Sequence, residues 1–267
     1  MPSTNFIRRR VAVAAFAALG SVYVHAAEQS PQAAARPATP GPVKNVVLVH
    51  GLYADGSSWG KVIPLLQAKG LRVTAVQNPT TSLEDDAAAV RRTLARQDGP
   101  TVLVAHSYGG MVISEVGNDP KVASLVYIAA RAPDAGEDYA ALAKRFPAAP
   151  ASAGLQWQQD GFGTLSEQAF VRDFAGDLPR SEALAYFAVQ QPVARAVTQA
   201  KTSAAAWRQK PSWYAVSSQD RTIDPALQRF MAQRMKATTI ELPASHVSLL
   251  SRPAEVAALI VAATHAR

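Results

Sequence analysis

The chain contains no cysteine. Disulfides and a lipid-anchored cleavage site are therefore excluded. The fold must rest on core packing alone, which a domain of about 240 residues can supply. A comfortable membrane span is also missing, because the apolar stretch Val11–Leu19 is shorter than the roughly 20 residues a spanning helix needs. Lysine and arginine outnumber aspartate and glutamate by 27 to 20, yet no run of basic residues interleaved with aromatics occurs. The surplus of positive charge reads as solubility rather than nucleic-acid binding. There is no internal repeat, and no cluster of side chains spaced to bind a metal, so no metal or organic cofactor is expected.

What is present begins with a leader pattern. Arg8, Arg9 and Arg10 precede the apolar stretch, and Val24-His25-Ala26 or His25-Ala26-Ala27 offers a small-residue cleavage site. Residues 1–27 are expected to be a secretory signal, with the mature protein periplasmic or secreted and not stably inserted in a membrane. Loss of those three arginines lowers the formal charge from +7 to about +4. Residues 28–42, rich in Ala, Pro and Gln without periodicity, read as an extended tether. The remainder, 43–267, is long enough for one large domain, and 48% of the whole chain is hydrophobic, which fits a globular protein.

From Lys44 onward, buried strands alternate with amphipathic helices. Strands are expected at Lys44–His50, Leu71–Val76, Thr101–Ala105, Ala123–Ala129, Ser212–Ser217 and Thr238–Leu242. Ser82 can cap a helix whose first turn holds Asp85 and Asp86, where acidic residues suit the positive helix end. The last helix is expected from near Pro253. Continuously apolar strands separated by helices imply an α/β fold: a mostly parallel sheet of about six strands with helices on both faces. The stretch from about 133 to 210 shows no clear strand and holds Trp157, Phe162, Phe170, Phe174, Tyr186, Phe187 and Trp207 among alanines. It is expected to be a helical lid inserted after the fourth strand, with most aromatics in its own core and one or two lining a pocket.

Residues 105–110 read Ala-His-Ser-Tyr-Gly-Gly directly after Thr101–Val104. A serine at such a strand-to-helix corner is forced outward above the sheet edge, and its neighbours must be small. Gly109 and Gly110 satisfy that need, and Ala105 stands where a first glycine is common. A nucleophilic serine requires a base, an acid to orient the base, and donors for an oxyanion. In this architecture the chain order is serine, acid, histidine. Asp220 follows the Ser212–Ser217 strand and His246 follows the Thr238–Leu242 strand. Ser107, Asp220 and His246 are thus the expected triad.

Asp134 and Asp224 are rival acids, although Asp224 before Pro225 reads most simply as a helix cap. Among other histidines, His106 is expected to point away from the nucleophile and His50 to support the oxyanion loop. The oxyanion donors are expected to be the backbone N–H groups of Tyr108 and Leu52, with Gly51 allowing close approach.

These motifs, His50-Gly51 followed by Trp59, Ala105–Gly110, Asp220 and Ser245-His246, resemble the α/β-hydrolase superfamily from about Lys44 to Ala266. Within it they are similar to the small branch of plant-type esterases and hydroxynitrile lyases. The lyases of that branch carry a threonine after the first-loop histidine and a lysine after the catalytic histidine. Here Gly51 and Val247 stand there, so the resemblance implies hydrolysis of a small-molecule ester. The same triad acting on a lactone, an amide, a carbon–carbon bond or in perhydrolysis is the alternative, and a non-catalytic ligand-binding protein of the same fold is a second.

Overall fold

The computed structural model describes residues 43–266. The expected signal and tether, residues 1–42, lie outside them. Six strands form one parallel sheet: β1 (Asn45–Val49), β2 (Arg72–Val76), β3 (Thr101–His106), β4 (Val122–Ile128), β8 (Ser212–Ser217) and β9 (Thr238–Leu242). Their spatial order is β2-β1-β3-β4-β8-β9, with every neighbouring pair parallel.

The burial of each strand follows from that order. β1 and β3 are buried along their whole length, as their unbroken Val/Leu runs require when both faces are covered. The edge strands β2 and β9 expose residues such as Arg72 and Glu241. Helices α2 (Leu83–Ala95) and α3 (Gly109–Val116) pack on each other and on β1, while α1 (Ile63–Gln67) and α10 (Pro253–Ala263) pair with each other, α10 lying against β3, β4 and β8. Helices α8 (Pro225–Arg234) and α9 (Ser248–Ser251) complete the layers.

Sequence order reverses direction across the sheet between β1 and β3. Ligand crevices form at such a switch point, outside the carboxyl ends of the strands. The loops after β1, β3, β4, β8 and β9 all emerge on that edge because the sheet is wholly parallel.

The segment between β4 and β8 departs from expectation. It holds short helices α4 (Tyr139–Ala143), α5 (Glu167–Ala169), α6 (Arg180–Ala188) and α7 (Arg195–Gln199), and a five-residue π turn at Phe170–Phe174. It also contains an antiparallel sheet of β5 (Leu155–Trp157), β6 (Phe162–Leu165) and β7 (Val193–Ala194). A purely helical lid is therefore incorrect.

These strands are two to four residues long, too short for alternation to stand out among alanines. Their one local signal is Asp160-Gly161, a turn pair. Gly161 takes φ +84° and Asp160 accepts from Phe162 N at 2.9 Å. Gly163 is fixed by packing, since a Cβ there would lie 2.7 Å from the Trp157 ring. The segment bonds to loops of the carboxyl edge: Ala194 N donates to Thr80 O, and Ala151 N to Arg221 O.

Helix α2 offers a test of local design. Ser82 Oγ accepts from Asp85 N at 3.0 Å. Replacing Ser82 by Ala removes that cap and is expected to cost about 1 kcal/mol, a fall of roughly 2–4 °C in thermal midpoint for a domain of this size. Calorimetry that finds no fall would show the cap to be irrelevant.

Candidate active site

Ser107 sits in the left-handed region at φ +54°, a conformation strained for any residue with a Cβ. Backbone bonds hold it from both sides: Ser107 N donates to Ile128 O, and Ser107 O accepts from Gly110 N at 3.0 Å and Arg131 N at 2.9 Å. The flanking glycines are required by contact. A Cβ on Gly109 would lie 2.8 Å from His50 O, one on Gly110 2.2 Å from Arg131 O, and one on Gly51 2.6 Å from Ser107 Cβ. Those three glycines let the β1 loop, the elbow and the β4 loop meet.

On the same edge, His246 Nδ1 and Asp220 Oδ2 lie 2.6 Å apart, both side chains fully buried. The Asp220 carboxylate also accepts from Thr222 N at 2.7 Å, Ile223 N at 2.9 Å and Gln228 Nε2 at 2.7 Å. That is a set of donors suited to an anion in an enclosed place. With Nδ1 committed to the carboxylate, neutral His246 presents an unprotonated Nε2, which has no hydrogen-bond partner among the described residues. Of the three aspartates considered, Asp220 is the one paired with His246. Asp134 forms an ion pair with Arg208, and Asp224 caps α8 by accepting from Ala226 N at 2.8 Å.

His106, expected to point away from the nucleophile, lies beside His246. Its ring centroid lies 4.6 Å from that of His246, and its Nε2 donates to His246 O at 2.9 Å. A carbonyl can only accept, so His106 carries its proton on Nε2. Burial, with His246 beside it, holds His106 well below the usual histidine range. His50 likewise stays neutral: Nδ1 donates to Gly51 O at 2.9 Å and Nε2 accepts from Asn78 N at 3.2 Å, and burial lowers its pKa. Both histidines serve as fixed hydrogen-bonding struts.

Leu52 and Tyr108 flank this point and are buried. Neither backbone N–H donates to another backbone group among the described residues. The Tyr108 side chain runs inward, and its hydroxyl donates to Asp86 Oδ2 at 2.8 Å, while Asp86 Oδ1 accepts from Thr80 N at 2.8 Å. The sequence reading placed Asp86 among helix-end charges and missed this anchoring. The available signal was its spacing with Ala89, Val90 and Thr93, which puts a carboxylate on the buried face of α2.

Two further aspartates were missed. Asp177 accepts from both Ser245 N, at 2.9 Å, and Ser245 Oγ, next to His246. Asp173, fully enclosed, pairs with Arg172 and with Arg221, next to Asp220. Phe174 lies between them with its ring 5.1 Å from His246. Phe170, Phe174 and Tyr186 line an apolar cavity with Tyr53, His106 and Leu250, whereas Trp207 instead donates to Pro133 O.

The family model of the alpha/beta hydrolases matches residues 46–259. The chain belongs to the alpha/beta hydrolase family. Among curated proteins it is 34% identical over 101 residues to a pyrethroid hydrolase of Sphingobium wenxiniae, covering 33% of this chain and 36% of that protein. It is 33% identical over 107 residues to methylesterase 7 of Arabidopsis thaliana, covering 34% of this chain and 41% of that one. The alignments thus span less than half of these relatives. The crystal structure of a pyrethroid hydrolase from Sphingobium faniae JZ-2 superposes with a TM-score of 0.70 at 24% identity, covering 84% of this chain and 98% of that one. The fold of this alpha/beta hydrolase thus extends across the described domain and resembles that of plant-type esterases. Among the described residues no group of three or more His, Asp or Glu is placed to hold a metal, and no helix is long and apolar enough to cross a membrane.

Burial pushes the Asp86 carboxyl up to about 6, above its value in an unfolded chain. The folded state therefore binds the extra proton between about pH 4 and 6, and this group's contribution to stability falls as pH rises through that window. Denaturant titrations of the wild type and Asp86→Asn are expected to show the wild type losing stability relative to the variant between pH 4 and 6.5. A constant difference would refute the assignment.

Proposed function

We propose that the protein is a serine hydrolase that cleaves small, partly hydrophobic carboxylic esters through an acyl-enzyme on Ser107. The observation that carries this reading is a serine at φ +54° on the same sheet edge as a buried histidine–aspartate pair 2.6 Å apart. Ser107 Oγ attacks the ester carbonyl as His246 Nε2 takes its proton. Asp220 holds the Nδ1–H tautomer and stabilises the imidazolium that forms. The N–H groups of Leu52 and Tyr108 receive the oxyanion, each worth about a hundredfold or more in turnover. His246 then protonates the leaving alcohol, and afterwards activates the water that releases the acid.

No hydrogen bond joins Ser107 to His246 among the described residues, and contacts of this kind commonly tighten only when substrate binds. The apolar side chains beside His106, Phe170, Phe174 and Tyr186 among them, support a partly hydrophobic substrate, and the relatives' names as hydrolase and methylesterase support ester chemistry. Export belongs to the same reading, supported by Arg8–Arg10 ahead of Val11–Leu19.

Hydrolysis of p-nitrophenyl esters from acetate to decanoate tests this directly. The wild type should favour short chains, and Ser107→Ala should lose about a thousandfold or more in kcat. Equal inactivity of the two proteins would remove ester hydrolysis from consideration. Asp220→Asn should preserve the fold and lower kcat by up to about ten-thousandfold, because the amide no longer imposes the productive tautomer. Near-normal turnover of that variant would assign the acid elsewhere.

A further inference from the structure

A second cavity adjoins the site on the other side of Tyr53. It measures about 220 Å³ and is lined by Tyr53, Arg131, Tyr139, Ser152, Thr198 and Thr222, with small aliphatic side chains between them. Arg131 is its only charged residue. The arginine is fastened to the elbow, since its backbone N donates to Ser107 O at 2.9 Å. Its guanidinium lies over the Tyr139 ring at 4.8 Å from the centroid, and its buried Nε has no hydrogen-bond partner among the described residues.

The nearby carboxylates are otherwise engaged. Asp220 serves His246 and Gln228, Asp134 pairs with Arg208, Glu137 pairs with Arg234, and Asp224 caps α8. A half-buried guanidinium left without an anion is costly, and the natural complement is a planar oxyanion taken in a fork. Tyr53 and Tyr139 add phenols that burial keeps protonated, so the rim of the cavity supplies donors rather than competing charge.

We infer that this cavity is a subsite for a carboxylate borne by the substrate away from the scissile ester, and that Arg131 holds it. The inference rests on the serine-hydrolase reading for the scissile end, and it makes the preferred substrate a half-ester of a dicarboxylic acid or a similar ester acid. Tyr53 lines both this cavity and the apolar one beside His106.

Two measurements test it, one of them independent of turnover. In the first, kcat/KM is compared for mono-p-nitrophenyl glutarate and p-nitrophenyl pentanoate, which match in chain length and differ in a terminal carboxylate. The ratio of the two constants should fall about 10- to 100-fold in Arg131→Gln, the range of a lost charge-assisted bond, and should be partly recovered in Arg131→Lys. In the second, glutarate binding is measured by calorimetry on the Ser107→Ala protein with and without Arg131→Gln, with detectable binding expected only when Arg131 is present.

An unchanged ratio, or glutarate binding that is absent or indifferent to Arg131, would overturn the subsite, leaving Arg131 a prop stacked on Tyr139. If neither ester is hydrolysed but glutarate binding still depends on Arg131, the subsite stands and the hydrolase reading fails.

Discussion

At Ser107 the backbone is held where a residue with a Cβ ordinarily avoids going, at a cost of about 1–2 kcal/mol. The surrounding architecture meets that cost by pinching the elbow between two neighbouring loops. β1 and β4 flank β3 in the sheet, so the loops leaving them converge on the turn. Gly51 and Gly109 let the β1 loop in, and Gly110 lets Arg131 of the β4 loop close over from the other side. Almost everything functional in the structure hangs from this crossing. The left-handed backbone of Ser107, the two backbone N–H groups beside it and the position of Arg131 all follow from three chain segments meeting where no side chain would fit.

Around the crossing, buried polar groups act as braces because each has a definite partner. His50 joins the first loop to Asn78, His106 joins the elbow to the carbonyl of His246, and Asp86 anchors the side chain of Tyr108. An enclosed polar group without a partner is expensive, so each of these bonds fixes geometry as well as adding stability. Burial keeps both flanking histidines neutral, which leaves His246 as the imidazole beside a carboxylate.

The inserted segment contributes by contact with these loops. Asp173 and Asp177 grip Arg221 and Ser245, the neighbours of Asp220 and His246, while Phe174 rests on the imidazole. The segment that walls the apolar cavity is thereby tied to the loops that hold the histidine–aspartate pair. Its small sheet, with Trp157 laid over Gly163 and Arg195 over the indole at 4.1 Å, gives a run of short elements a packed centre of their own.

Much of this could be read from the chain. The parallel sheet followed from the apolar runs of its central strands, because strands covered on both faces have no polar alternation to preserve. Ser107 was legible from the small residues beside it, and Asp220 and His246 from their places after successive strands, since parallel strands deliver their loops to one edge. The small sheet of the insertion was hidden because two to four residues cannot display a period.

Asp86, Asp173, Asp177 and the true surroundings of His106 were hidden for a different reason. The partners that decide their roles lie far along the chain: Tyr108 is 22 residues from Asp86, Arg221 is 48 from Asp173, Ser245 is 68 from Asp177 and His246 is 140 from His106. Local spacing says nothing of such pairings. The sequence by itself determined the fold class, the elbow and the residue types that meet at the sheet edge, because these depend on short-range pattern and strand direction. Which histidines stay neutral and which arginine is left without an anion were decided only by tertiary packing, since burial and charge pairing are properties of neighbours that folding brings together.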